Sequence, residues 1–160
     1  MQAEKELILT ARGLKKIEDE LDQLRSVHRK RVADRIRESK QFGGEFADNS
    51  EFEDAKNEQA FVEGRIEELK QILAAARVID ETDVLTDRVG IGSVVRVRDL
   101  ENADEWEWSI VGTVEADPGE DRISNESPVG QALLGKYVGD VAVVEIPAGK
   151  ARSEIVAIRK

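Results

Sequence analysis

The chain has 160 residues, 34 acidic and 24 basic, and a formal charge of −10 with its histidine neutral. It has no cysteine and one histidine, His28, which excludes a disulfide scaffold, a thiolate or multi-histidine metal site and a cysteine nucleophile. Hydrophobic residues at 40% suffice for a core, no apolar run approaches the roughly 20 residues of a membrane span, and MQAEKELILTARG lacks the apolar region of a signal peptide, so the expectation is a cytoplasmic protein with no membrane contact.

Charge is uneven along the chain. Residues 1–80 hold 15 basic and 18 acidic side chains, net −3, and residues 81–160 hold 9 and 16, net −7. Thr10 is a fair helix N-cap, and Leu14, Ile17, Leu21 and Leu24 follow it at alternating steps of three and four. Val32 and Ile36 continue this stripe only if the spacing slips to four. A second run is stricter: Phe52, Ala55, Gln59, Val62, Ile66, Leu69, Leu73 and Ala76 alternate three and four with one polar position. Between the runs, QFGGEFADNS supplies a flexible break at Gly43–Gly44. Two helices joined by a short loop run antiparallel, so residues 1–80 read as an α-helical coiled-coil hairpin with its tip near 43–48. At 1.5 Å per residue, about 28 residues per arm gives a rod of roughly 40 Å.

Beyond a join at 78–91 the pattern changes. VVRVRDL, WEWSIVGTV, DRIS, DVAVVEIP and SEIVAIRK read as strands, with a turn at Pro147–Lys150. SPVGQALLGK opens with a Ser cap and a Pro at the first helical position, so it reads as a short helix. The predicted fold class is α+β: a coiled-coil hairpin over 1–80 followed by a small α+β domain over 81–160.

Three clusters can carry chemistry. Glu45 and Asp48 put two carboxylates on the hairpin tip, where they can share a hard divalent ion such as Mg²⁺; equally, Asp48 can cap the second helix, with Glu51 completing a capping box and Asn49 and Ser50 as rival caps. Arg29, Lys30, Arg31, Arg35, Arg37 and Lys40 crowd the first helix beside His28, with Asp34 and Glu38 as the only acids among them. Such a face attracts phosphates, or is a solvated face with local ion pairs; His28 itself reads as a surface or seam residue and not a ligand. Trp106 and Trp108 alternate in WEWSIV, so both face one side of the sheet, as core or interface residues before ligand-stacking ones.

The run ISNESPVGQALLGKYVGDVAVVEIPAGKARSEIVAI (123–158), the helix NSEFEDAKNEQAFVEGRIEEL (49–69), its exit RVID (77–80) and LTARGLKKIEDEL at the front resemble, in order, the bacterial GreA/GreB transcript-cleavage factors. The resemblance covers essentially the whole chain. It implies an FKBP-like C-terminal domain that docks on RNA polymerase, and a coiled-coil prong that enters the secondary channel. There the tip carboxylates help hold a Mg²⁺ shared with the polymerase active site, so that polymerase hydrolyses the extruded 3′ end of its own nascent RNA. The chain would thus be an accessory factor and no enzyme by itself, acting as a monomer and holding no metal alone. By position, the acidic pair falls on Glu45 and Asp48, in the reverse of the family's usual Asp-x-x-Glu order. The RNA-facing patch falls on Arg29, Lys30, Arg31, Arg35, Arg37, Lys40 and Lys56, the docking edge on Ser124, Glu126 and Pro128, and support for the tip on Asn49, Glu51 and Phe52. The reversed order leaves a rival reading, a channel-blocking regulator that docks without stimulating cleavage; a generic coiled-coil adaptor is a third.

Overall fold

The computed structural model describes residues 7–42, 50–147 and 149–160. The chain forms two compact units: a helical one over residues 15–75, and a second that combines the residues before it with those from 76 onward. The single boundary expected after residue 80 thus becomes two crossings. The reason is a pair of three-residue strands: β1 (Ile8–Thr10) pairs in parallel with β2 (Arg77–Ile79), in a register that sets Leu9 opposite Val78 and buries Leu9 completely. Segments this short leave no period for a sequence reading to detect.

The first arm of the hairpin is α1 (Ala11–Gln23), a π-helical turn (Leu24–His28) and α2 (Arg29–Phe42); the second is α3 (Ser50–Ala75). Thr10 caps the first arm as expected, its Oγ1 accepting from the Gly13 N–H at 3.1 Å. Cross-arm partners run down one helix as they climb the other: Glu20 with Arg65, Arg29 with Glu63, Arg35 with Glu58, Lys40 with Phe52. The arms are therefore antiparallel. Ile17, Leu21, Leu24 and Val32 from one arm and Ala55, Val62, Ile66 and Leu69 from the other form the buried seam.

The slip in the first stripe has a backbone cause. Continuing the three-four alternation past Leu24 would bury residue 31, yet Arg31 is exposed and Val32 is buried. The π turn takes up one extra residue: the Arg29 N–H donates to the Leu24 carbonyl, five residues back instead of four. That single residue returns an apolar side chain to the seam and turns the arginine outward.

In the other unit, β3 (Val94–Asp99), β4 (Glu105–Val111), β5 (Arg122–Ser124), β6 (Val141–Ile146) and β7 (Gly149–Arg159) form a sheet in the order β5-β4-β3-β7-β6. All pairs are antiparallel except β4–β5. Strand alternation sets its faces: Val95 and Val97 are fully buried, while Arg96 and Arg98 point out. Val89, Ile110, Leu133, Ala142 and Ile155 complete the core. The short helix α4 (Pro128–Leu133) forms as predicted, with Ser127 Oγ accepting from the Gly130 N–H. β4 ends three residues before the predicted strand does. Gly112 follows it at a point where a Cβ would lie 2.2 Å from the Ile8 carbonyl oxygen, and Thr113–Glu115 then form a 3₁₀ turn.

Candidate functional site

Glu45, Asp48 and Asn49 lie outside the described residues, in the stretch that joins Phe42 at the end of α2 to Ser50 at the start of α3. Glu51 and Glu53 occupy the first turn of α3, where carboxylates complement the positive end of the helix dipole. Phe52 is half-buried on the inner side, and the Lys40 and Lys56 ammonium groups stand 5.9 and 6.0 Å from its ring centroid. Both distances suit cation–π attraction, worth about 0.5–1 kcal/mol each at an exposed site. Phe52 thus joins the two arms beside the tip segment and gathers two positive charges there. Among the described residues, no group of three or more His, Asp or Glu side chains is placed to hold a metal ion.

The cationic cluster is less free than its composition suggests. Arg29 makes a two-pronged pair with Glu63, Nε and Nη2 each 2.8 Å from a carboxylate oxygen. Arg35 pairs with Glu58, and Arg37 with Asp34 at 3.6 Å. The hydrogen bond from Arg29 holds the Glu63 carboxyl below its ordinary range, and the same bond raises the Arg29 guanidinium. Among the described residues, Lys30 and Arg31 make no ion pair; with Lys40 and Lys56 they are the cations of this set most available to a phosphate chain. His28 lies half-buried in the π turn. Composition gave no hint of a further cross-arm pair, Arg65 with Glu20 at 2.8 Å, in which hydrogen bonding to Glu20 raises the guanidinium.

The three predicted docking residues are brought together in one hydrogen-bonded turn. The Glu126 N–H donates to Ser124 Oγ at 3.0 Å, and Ser124 Oγ lies 3.1 Å from Thr113 Oγ1, which donates to Glu126 Oε2 at 2.8 Å. Because Thr113 spends its proton on Glu126, Ser124 must donate to Thr113, and the hydrogen bonds close a ring. Ser127 Oγ adds a bond of 2.6 Å to the Ser124 carbonyl, and Pro128 starts α4 directly after it. Thr113 was missed by sequence reading: it belongs to a turn eleven residues upstream, and nothing in its own neighbourhood points to residue 126.

Trp106 and Trp108 do share a face, with rings stacked 7° from parallel and 6.3 Å between centroids. Trp108 packs on the core, while Trp106 remains 41% exposed.

Two family profiles match this chain: "Transcription elongation factor, N-terminal" over residues 7–78, and "Transcription elongation factor, GreA/GreB, C-term" over 84–160. It is 54% identical over 160 residues to a protein named transcription elongation factor GreA from Alkaliphilus oremlandii, covering 100% of both chains. A protein of the same name from Acetivibrio thermocellus is 50% identical over 160 residues, again with 100% of both covered. Among solved structures, GreA factor homolog 1 of Thermus thermophilus is 32% identical, with 98% of this chain and 100% of that one covered and a TM-score of 0.45.

Proposed function

The chain belongs to the GreA/GreB family of transcription elongation factors, and from that premise we propose that it docks on RNA polymerase and stimulates hydrolytic cleavage of backtracked nascent RNA. Docking falls to the Ser124–Glu126–Pro128 turn of the C-terminal domain. The hairpin enters the polymerase secondary channel, and Glu45 and Asp48 meet the active centre there. The protein acts as a cytoplasmic monomer with no nuclease centre of its own.

One observation carries this reading: the only stretch joining the two packed arms is 43–49, and it holds the two carboxylates that match the family's acidic pair. A pair of carboxylates suits Mg²⁺, which prefers hard oxygen ligands and keeps water and phosphate in its remaining positions. Glu45 and Asp48 would help hold that ion, which would supply Lewis-acid activation of water. The rest is the work of this chain. Val32 and its partners in the seam hold the two arms together, and Phe52 joins them through Lys40 near the start of α3. Lys30, Arg31, Lys40 and Lys56 attract the extruded RNA strand, and Glu45 and Asp48 orient the attacking water.

The test is to incubate the protein with backtracked elongation complexes from its own species, Mg²⁺ and 3′-labelled RNA, without nucleotides. Release of short 3′ fragments above polymerase's intrinsic rate supports the proposal. No release, with nucleotide addition inhibited in a parallel reaction, would favour the channel-blocking reading, to which the reversed Glu-x-x-Asp order is the one pointer.

A further inference from the structure

The Thr113–Glu115 turn has a second side. While Thr113 closes the hydrogen-bond ring of the docking turn, Glu115 reaches the opposite way, to the first turn of α1. Its Oε2 accepts from the Thr10 N–H at 2.7 Å and its Oε1 from the Thr10 hydroxyl at 2.6 Å. Arg122 Nη2 lies 2.7 Å from the same Oε1, and the two charged side chains are only 3% and 9% exposed. Gly13 makes room for the carboxylate: a Cβ there would lie 2.1 Å from Glu115 Cδ. A buried, fully hydrogen-bonded carboxylate is thus lodged at the start of a helix, 105 residues away in sequence from the residue it binds.

Simple anchoring of the chain does not need this arrangement, because β1–β2 pairing and the burial of Leu9 already supply it. What the carboxylate adds is a link between two places. One 3₁₀ turn carries, two residues apart, a contact to the docking loop and a contact to the root of the first hairpin arm. We propose that Glu115 is a positioning residue, which couples the polymerase-docking turn to the first turn of α1 so that docking fixes the root of the arm. The inference rests on the proposed function for its kinetic consequence, but the coupling itself is testable without polymerase.

The experiment compares wild type with Glu115→Gln, which keeps the volume and one acceptor, and with Thr10→Val, which puts a methyl group in place of the hydroxyl and so removes both its bond to Glu115 and the cap on the Gly13 N–H. Hydrogen exchange of the Thr10 and Gly13 amides is followed by mass spectrometry or NMR, and transcript cleavage is titrated with factor. At unchanged helix content by circular dichroism, exchange at the residue-10 amide should accelerate at least about ten-fold in Glu115→Gln and less in Thr10→Val, whereas the Gly13 amide, whose acceptor is Thr10 Oγ1, should accelerate most in Thr10→Val. The maximal cleavage rate should fall by about ten-fold while the half-saturating concentration moves by less than about two-fold. Exchange at the wild-type rate at the Thr10 amide in Glu115→Gln would overturn the coupling. So would faster exchange with an unchanged maximal rate, or a rise in half-saturating concentration alone. If wild-type protein itself stimulates no cleavage, the proposed function fails, and the exchange arm still decides whether Glu115 holds the helix.

Discussion

Each tip carboxylate differs by one methylene from the Asp-x-x-Glu order that the family resemblance implies. A methylene moves a carboxylate by about an ångström, and errors of that size at a reacting centre cost up to about a hundred-fold in rate. Replacing both Glu45 and Asp48 by Ala should abolish stimulated cleavage and leave polymerase affinity within about three-fold, since the proposed function has these groups act on the reaction and not on docking. A binding assay that shows lost affinity would refute that division of labour. Restoring the usual order with Glu45→Asp and Asp48→Glu should raise the maximal rate, read in the same titration. At Glu63 the relevant variable is pH. Its carboxyl is held low by the Arg29 hydrogen bond, so its contribution is present at neutral pH and is lost as pH falls through the lowered folded value. The melting temperatures of wild type and Glu63→Gln should therefore differ at neutral pH, by little because the pair is exposed, and converge in acid.

At the scale of elements, the hairpin was largely legible because its information is periodic. Thr10 announced the first helix, and the strict seam from Phe52 to Ala76 announced the second. The irregularity at Val32 was visible too, as a change of spacing, but its cause was not: a π turn depends on one backbone hydrogen bond, for which no side chain signals. Strand alternation exposed β3 and β7 for the same reason that the helices were visible. By contrast β1, β2 and the 3₁₀ turn after Gly112 are too short to have a period, and they exist because of contacts far away in sequence. The interhelical seam should dominate stability. Leu69 is fully buried within it, so Leu69→Ala should cost about 2–5 kcal/mol, measured by urea denaturation of the full chain. Breaking the exposed Arg35–Glu58 pair with Arg35→Ala should cost no more than about 1 kcal/mol, and less in high salt.

For the whole molecule, the proposed function divides the work between a unit that docks and a hairpin that delivers chemistry, and on that proposal variants should fall into two kinetic classes. Glu126→Ala with Pro128→Ala disrupts the docking turn, so activity should fall at low factor concentration and recover when the factor is raised. An activity loss that ignores concentration would place these residues elsewhere in the mechanism. The candidate site was legible only in part. The acidic pair and the ISNESP turn stood out by resemblance, whereas Thr113 and Glu115 did not. Their roles come from hydrogen bonds that a linear reading cannot pair, 13 residues apart in one case and 105 in the other.

The π turn also bears on how such a hairpin tolerates changes of length. An ordinary α-helical arm that gained one residue would rotate every later side chain by about 100° and pull its apolar stripe off the seam. Here the surplus residue is confined to one wide turn between Leu24 and Arg29, and both flanking stretches keep their contacts. The first arm therefore has a place where a single codon can be lost, with the wide turn reverting to an ordinary one. Val32 and Ile36 would then stand seven and eleven residues after Leu24, where an unbroken alternation of three and four places seam residues, so both keep their places without further substitution. In α3 the stripe runs unbroken, and a one-codon change anywhere along it has no such shelter.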